Sequence, residues 1–181
     1  MPFSQAPARR RRAQGDATHG LGRLPRAVAF ALLPMLVVLG CSKPPADELG
    51  VVEEHLRNCP EKVDCVCSDA LAVVHATRAF HLAGSAADGW GTARRLVAAM
   101  PGATIVKEEA NYLHAEVRGR LFGPVDDLEL HLRVEPRVIA VRSLSRSEWS
   151  RAGSNRARVE SLRDGLRKAG QLDEEFGISG D

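Results

Sequence analysis

The sequence predicts an α+β domain in which a four-stranded antiparallel meander sheet carries two helices packed on one face. Beyond an amino-terminal leader, the segments follow the order helix, four consecutive strands, helix. The strand segments alternate apolar with polar residues, which is the pattern of antiparallel strands that bury one face. Because consecutive strands usually lie side by side, both helices are expected to cover the apolar face.

The first helix is predicted over residues 89–100, and the Pro101–Gly102 pair ends it. Its apolar side chains recur at helical spacing. They are Ala93, Leu96, Val97 and Met100. The last helix is predicted from Ser154, which can cap its start, to Gly170, which can end it.

Four strands are predicted between these helices. Their segments are ATIVKEE from Ala103, YLHAEVR from Tyr112, DLELHLRV from Asp127 and RVIAVRS from Arg137. The third segment alternates most cleanly, with leucine or valine at every second position and charged residues or histidine between them. That alternation is typical of a strand with one buried face.

Residues 1–40 are predicted to be a signal peptide. A basic leader precedes an apolar run from Ala27 to Leu39, which spans only about 20 Å as a helix and is short for a membrane span. The run ends in VVLGCS, which resembles the lipobox of bacterial lipoproteins. The resemblance implies cleavage before Cys41 and lipidation of that cysteine. A plain secretory signal, an uncleaved anchor and a twin-arginine export signal are the alternatives.

The remaining chain divides into three predicted parts. Residues 41–50 are a lipidated tether, residues 51–170 a single α+β domain and residues 171–181 an acidic tail. Ser42, directly after the lipidated cysteine, is compatible with the outer membrane. We therefore expect a protein of the bacterial cell envelope, held by its lipid on the periplasmic side.

The basic charge of the chain belongs to the leader. Of the 25 basic and 23 acidic residues, the leader holds six arginines and one aspartate, which leaves 19 basic and 22 acidic residues beyond it. The mature part thus has a net charge of −3. The basic pI is no evidence for nucleic-acid binding, and no nucleic-acid partner is expected.

A histidine and carboxylate cluster is the first candidate site. Strand parity places five residues on the polar side of two neighbouring strands: His114, Glu116, Asp127, Glu129 and His131. An enzyme could use His114, Glu116, Asp127 and His131 together with Asp126. Cross-strand neighbours lie about 5 to 8 Å apart, close enough to share a metal ion. No HExxH or comparable spacing is present. We favour a solvated or ligand-facing sheet surface, and we predict no metal and no cofactor.

The cysteines offer a second candidate. Cys59, Cys65 and Cys67 have the spacing C-x5-C-x-C, with His55 ahead of them. In an oxidising compartment a Cys59–Cys65 disulfide is the favoured arrangement, and it leaves Cys67 free. Cys67 competing for the bridge and a zinc site are the alternatives.

An arginine-rich stretch is the third candidate. Residues 137–168 hold nine basic and three acidic residues. Hydroxyl groups that alternate with guanidinium groups ahead of a helix can hold an anion. The candidate ligand-binding residues are Arg142, Ser143, Ser145, Arg146, Asn155 and Arg156. The alternative is that these arginines pair internally with Glu116, Asp126 and Asp127 and fix the sheet to the last helix.

Three segments resemble a known family. They are CPEKVDCVCSDA, YLHAEVRGRLFGPVDDLEL and VIAVRSLSRSEWSRAGSNRARVESLR, in this order and spacing. Together they resemble the bacterial and plastid family called domain of unknown function 1499, over Cys59 to about Arg163. The resemblance implies a family but no reaction.

The sequence therefore predicts an envelope lipoprotein with a non-catalytic binding or envelope-maintenance role. Its expected contacts are the membrane, through the lipid, and an anionic ligand or partner protein. The alternative is a periplasmic metal-dependent or hydrolytic enzyme that uses the histidine and carboxylate cluster.

Overall fold

The computed structural model describes residues 48–61, 64–119, 124–147 and 151–173, which all lie in one compact unit. The predicted leader, the lipidation site Cys41 and most of the tether and tail lie outside the described residues. Within the described part, no helix combines the length and the apolar character needed to cross a bilayer.

The main sheet has six strands, and the prediction of four is wrong. In chain order the described strands are β1 Val51–Val52, β2 His55–Leu56, β3 Cys65–Cys67, β4 Phe80–His81, β5 Ala103–Glu108, β6 Tyr112–Arg118, β7 Val125–Arg133 and β8 Val138–Ser145. Strands β5 to β8 are the predicted meander, and their ends agree with the prediction to within two residues. Strands β3 and β4 both pair antiparallel with the free side of β8. A separate two-stranded sheet is formed by β1 and β2.

Helix α1 spans Ala86–Ala98 and begins earlier than predicted. Ser85 precedes it, and its hydroxyl accepts a hydrogen bond from the Asp88 amide at 3.1 Å. This serine caps the helix and sets its start, because it satisfies an amide that has no partner within the first turn.

Helix α2 spans Ser154–Lys168. The prediction that Ser154 caps it is wrong. Gly153 stands at the cap with φ of 79°, and the Ser154 hydroxyl donates to Asp64 instead. Gly170, with φ of 66°, follows the last turn as predicted, since a left-handed residue suits glycine there.

Both helices cover one face of the sheet, as the apolar pattern predicted. α1 contributes Trp90, Ala93 and Val97 to a core that also holds inward-facing residues of the strands. The α2 residues in the same core are Val159, Leu162 and Leu166. Continuous burial of apolar side chains between two layers is the main stabilisation of such a domain.

The folded part extends beyond residues 51–170 at both ends. Glu48 and Gly50, assigned to the tether, hydrogen bond to side chains on the sheet. At the other end, Leu172 forms an antiparallel bridge with Leu82, and the Asp173 amide donates to His81 O at 3.0 Å. The last residues of the predicted tether and the first of the predicted tail thus belong to the domain.

Candidate functional site

The face of the sheet opposite the helices carries a row of polar side chains. The strand register pairs Glu116 with Asp127 and His114 with Glu129 across β6 and β7, and Glu129 with Arg142 across β7 and β8. The predicted sharing of one face is therefore confirmed for His114, Glu116, Asp127 and Glu129.

A solvated or ligand-facing surface was expected, but this polar row is buried, so the solvated alternative is wrong. The side chains of Asp127 and Glu129 have no exposed area, and that of Arg142 is 1% exposed. Residues 48–58 contact this face: the Arg142 guanidinium donates to Glu48 O at 2.7 Å and to Asn58 O at 3.1 Å. Alternation predicted the face correctly but gave no information on what would lie over it.

Asp127 lies at the centre of a charged cluster. His114 Nε2 is 2.7 Å from Asp127 Oδ1, and Arg146 donates to both carboxylate oxygens, at 2.7 and 2.9 Å. Arg146 also donates to Glu116 at 2.8 Å. Burial works to raise the pKa of Asp127, but the hydrogen bonds from Arg146 and His114 outweigh it and hold that pKa below its usual value.

Glu129 is held by three donors. Arg142 Nη1 donates to Oε2 at 2.7 Å, while the Tyr112 hydroxyl and the Gly50 amide each donate to Oε1 at 2.6 Å. Burial and the neighbouring Glu129 carboxylate raise the pKa of Tyr112, so this phenol stays protonated as a donor. The arrangement ties residues 48–50 to the sheet.

His131 lies further along β7 with its ring buried. Its Nε2 is 3.7 Å from Glu54 Oε2, and its Nδ1 has no hydrogen-bond partner within the described residues. Burial and the positive charge of Arg133 lower the pKa of His131. This ring is separated from the His114–Asp127 pair by Glu129 and does not join it.

Asp126 does not belong with these residues, and the prediction that groups them is wrong. Successive side chains of a strand point to opposite faces, so Asp126 faces α2 while Asp127 faces away from it. Arg158 Nη2 donates to Asp126 Oδ2 at 2.6 Å, and the Ser145 hydroxyl donates to Oδ1 at 2.8 Å. The candidate catalytic set is split between two faces.

The candidate ligand-binding set is split in the same way. Arg142 and Arg146 lie in the polar row, whereas Ser143 and Ser145 face α2, where Asn155 of that helix meets them. The buried side-chain amide of Asn155 donates through Nδ2 to Ser145 Oγ at 2.8 Å, and Ser143 Oγ donates to Asn155 Oδ1 at 2.6 Å. Arg156 is exposed and donates to backbone carbonyl oxygens of residues 74 and 76.

Asp64 and Arg158 complete the network beneath α2, and the sequence did not single them out. Asp64 Oδ2 accepts hydrogen bonds from the backbone amide of Asn155 at 3.1 Å and from Ser154 Oγ at 3.2 Å. Burial opposes ionisation of Asp64, yet the hydrogen bonds from α2 and from Gly153 give a net lowering of its pKa. The pairing of Arg158 with Asp126 agrees with the alternative in which arginines of this stretch pair internally and fix the sheet to the last helix.

A cavity of about 530 Å³ opens beside this network, at the start of α2. Its wall combines apolar and cationic groups. Asp126, Ser154 and Ser161 add acceptors and hydroxyls. The apolar lining residues are Met100, Pro101, Val117 and Pro124, and the cationic ones are Arg118, Arg151 and Arg158.

The Cys59–Cys65 disulfide is confirmed, with 5.7 Å between the Cα atoms. Cys67 is a buried free thiol, and burial raises its pKa to about 11. Within the described residues, no group of three or more histidine, cysteine, aspartate or glutamate side chains is arranged to hold a metal ion.

Comparison with known proteins gives a family. Searches of curated proteins and of solved structures found no match. One family model, described as Protein of unknown function (DUF1499), matches residues 55–166, which is more than half of the chain. The match includes the disulfide-bonded Cys65, the polar row and the network beneath α2. The chain therefore belongs to the DUF1499 family of proteins of unknown function.

Proposed function

We propose that this chain is a lipoprotein of the bacterial cell envelope whose domain binds an anionic ligand without transforming it. The leader with its lipobox-like VVLGCS segment supports an anchor at Cys41, on the periplasmic side of the outer membrane. The disulfide is consistent with an oxidising compartment.

The cavity at the start of α2 carries the binding proposal. Its volume of about 530 Å³ lies within the range of small-molecule sites. Four apolar residues and three arginines line it. A wall of this kind suits an anion that has an apolar portion, such as an acyl carboxylate, because each half of the ligand meets its complement.

The three arginines differ in how they are engaged. Arg158 pairs with Asp126, and Arg118 donates to Glu116 at 3.1 Å. Arg151 is exposed, and its side chain forms no hydrogen bond or ion pair with the described residues. Arg151 is therefore the cation best able to meet an incoming anion, while Asp126 fixes the position of Arg158.

The polar row supports a structural role rather than catalysis. Arg146 engages both oxygens of Asp127 and one oxygen of Glu116, so neither carboxylate is held ready for a substrate proton. Removing a charge from water costs several kcal/mol unless partners of this kind are present. The charged groups of the cluster thus take their hydrogen-bond partners from one another.

A hydrolytic enzyme is the second candidate, and the His114–Asp127 pair favours it. The 2.7 Å contact would orient the imidazole, and the His114 side chain keeps 11% of its area exposed. Loss of a measured hydrolytic activity in His114→Gln, with the ligand still bound, would favour this candidate. Equal behaviour of His114→Gln and wild type would favour the binding module.

Titration calorimetry tests the binding proposal. The probes are octanoate and the uncharged octanol, and the protein is the chain from Ser42 onward. We expect saturable binding of octanoate only, weakened about tenfold or more by Arg151→Ala, because a hydrogen bond to a charged group contributes roughly 1.5 to 3 kcal/mol. Arg57→Ala is the control, since Arg57 is an exposed arginine that lines a different cavity. Equal weakening by both substitutions, or no saturable binding, would contradict the proposal.

A further inference from the structure

An apolar loop projects from the domain next to β3. We define the apolar loop as residues 71–76, with the sequence LAVVHA. Leu71 is 86% exposed, Val73 is 88% exposed and Val74 is 75% exposed. Single exposed apolar residues are ordinary, but three in a run of four mark a surface that meets an apolar partner.

Hydrogen bonds to the rest of the domain hold the apolar loop in place. The Leu71 amide donates to Asn58 Oδ1 at 3.1 Å, and His75 Nδ1 lies 2.9 Å from Cys65 O. Arg156 of α2 donates to Ala76 O at 3.1 Å. A short 3-10 helix, Val73–His75, contains no buried residue. The apolar side chains are thus presented outward on a rigid base and need little further ordering to bind.

The loop lies beside the point where the chain leads back to the predicted lipid. Arg142 joins the two, because it donates to Glu48 O and to the carbonyl of Asn58, the residue that also holds Leu71. Six residues lie between Cys41 and Glu48, so the seven Cα–Cα steps that join these two residues reach at most about 25 Å. A lipid on Cys41 would therefore hold this side of the domain close to the bilayer.

Charge and size favour a membrane over a protein as the partner. No acidic residue occurs between Ala70 and Phe80, and Arg78 and Arg156 flank the loop. Basic residues near an apolar insertion suit a bilayer with anionic lipids. Three side chains are too few to supply the roughly 1,000 Å² that a stable protein interface requires, whereas a tethered domain needs only a weak second contact.

We propose that the apolar loop inserts Leu71, Val73 and Val74 into the lipid bilayer and gives the domain a fixed orientation on the membrane. This inference depends on the proposed lipid anchor. It adds a second membrane contact that works together with the anchor.

Photocrosslinking tests the inference, with the chain expressed with its leader, purified from a bacterial envelope and placed in phosphatidylethanolamine and phosphatidylglycerol vesicles. Benzoylphenylalanine replaces Val73 in one variant and Val106 in the matched control. Val106 is 48% exposed on β5, at the opposite edge of the sheet from the strand that precedes the loop. We expect lipid adducts at position 73 in severalfold higher yield than at position 106.

Equal lipid yields at the two positions, adducts with protein at position 73, or no adduct there would each overturn the inference. The mass of the Cys41 peptide from the same sample distinguishes the two proposals. A lipidated Cys41 without lipid adducts at position 73 would contradict the membrane insertion of the apolar loop alone. An unmodified Cys41 would contradict the proposed lipid anchor, on which the insertion of the loop depends.

Discussion

Arg142 and Glu129 form an ion pair between neighbouring strands, with 2.7 Å between Nη1 and Oε2, where neither side chain is more than 1% exposed. The same carboxylate accepts from the Gly50 amide, and the same guanidinium donates to Glu48 O. The pair thus joins the sheet to the segment that leads toward the predicted anchor. These hydrogen bonds hold residues 48–50 against the sheet.

Glu129→Ala should lower the free energy of unfolding by roughly 3 to 5 kcal/mol, because it leaves the Arg142 charge buried without its partner. Urea unfolding followed by circular dichroism would measure this loss. Arg167→Ala is the control, since Arg167 and Asp164 form an exposed pair at 43% and 60% and should contribute at most about 1 kcal/mol. Similar losses in both variants would contradict the structural role of the buried pair.

Asp64→Ala should destabilise α2. The Asp64 carboxylate accepts a hydrogen bond from the backbone amide of Asn155 in the first turn of α2, in place of the capping serine that the sequence predicts. Loss of such a cap costs about 0.5 to 2 kcal/mol. Asp64→Asn retains an acceptor oxygen and should lose less, so equal losses in calorimetric unfolding of the two variants would show that Asp64 does not cap the helix.

Stability should decrease as the pH falls below the usual His131 pKa of 6.5. Burial lowers the pKa of His131 in the folded state, so the unfolded chain binds a proton first and acid favours unfolding. The carboxylate of Asp127 acts in a separate window, because its pKa lies below 3.8 and its contribution is lost only in stronger acid.

His131→Gln should therefore reduce the pH dependence of the unfolding free energy between about pH 7 and pH 5. Urea titrations at several pH values would measure it. Arg167→Ala is the control, because an exposed arginine keeps its proton throughout this window, and the slope of this variant should equal that of wild type. If the unfolding free energy of His131→Gln depended on pH as steeply as that of wild type, the pH dependence could not be attributed to His131.

Thiol labelling should distinguish the cysteines. Cys67 is buried with its pKa raised to about 11, so iodoacetamide should not modify it in the native domain near neutral pH. In denaturant without reductant, mass spectrometry should find Cys67 modified, and Cys59 and Cys65 unmodified. Modification of Cys59 before reduction would contradict the disulfide.

The four long strands and both helices were predictable because each one repeats a pattern over several turns or residue pairs. Strands β3 and β4 are three and two residues long, too short to show alternation. Their pairing with β8 depends on contacts distant in sequence, which a local pattern does not encode. The start of α2 at Ser154 was predicted correctly, but the role of Asp64 at that end was missed for the same reason, since Asp64 lies 90 residues before Ser154.

The candidate site was predictable in its composition but not in its arrangement. Parity placed Glu116 and Asp127 on one face, but the enzyme hypothesis added Asp126, which parity assigns to the other. Burial by residues 48–58 turned a predicted surface into an internal network. The lining of the cavity comes from the residues that follow α1, from β6 and β7 and from α2, so no single segment of sequence could indicate it.

The most direct test of the central claim is native mass spectrometry of the full-length chain purified from a bacterial envelope. The binding account predicts a retained anionic molecule with an apolar portion, unchanged on prolonged incubation, present in wild type and Arg57→Ala and depleted in Arg151→Ala. A chain free of any ligand, a ligand retained equally by Arg151→Ala, or a ligand converted to product would contradict it.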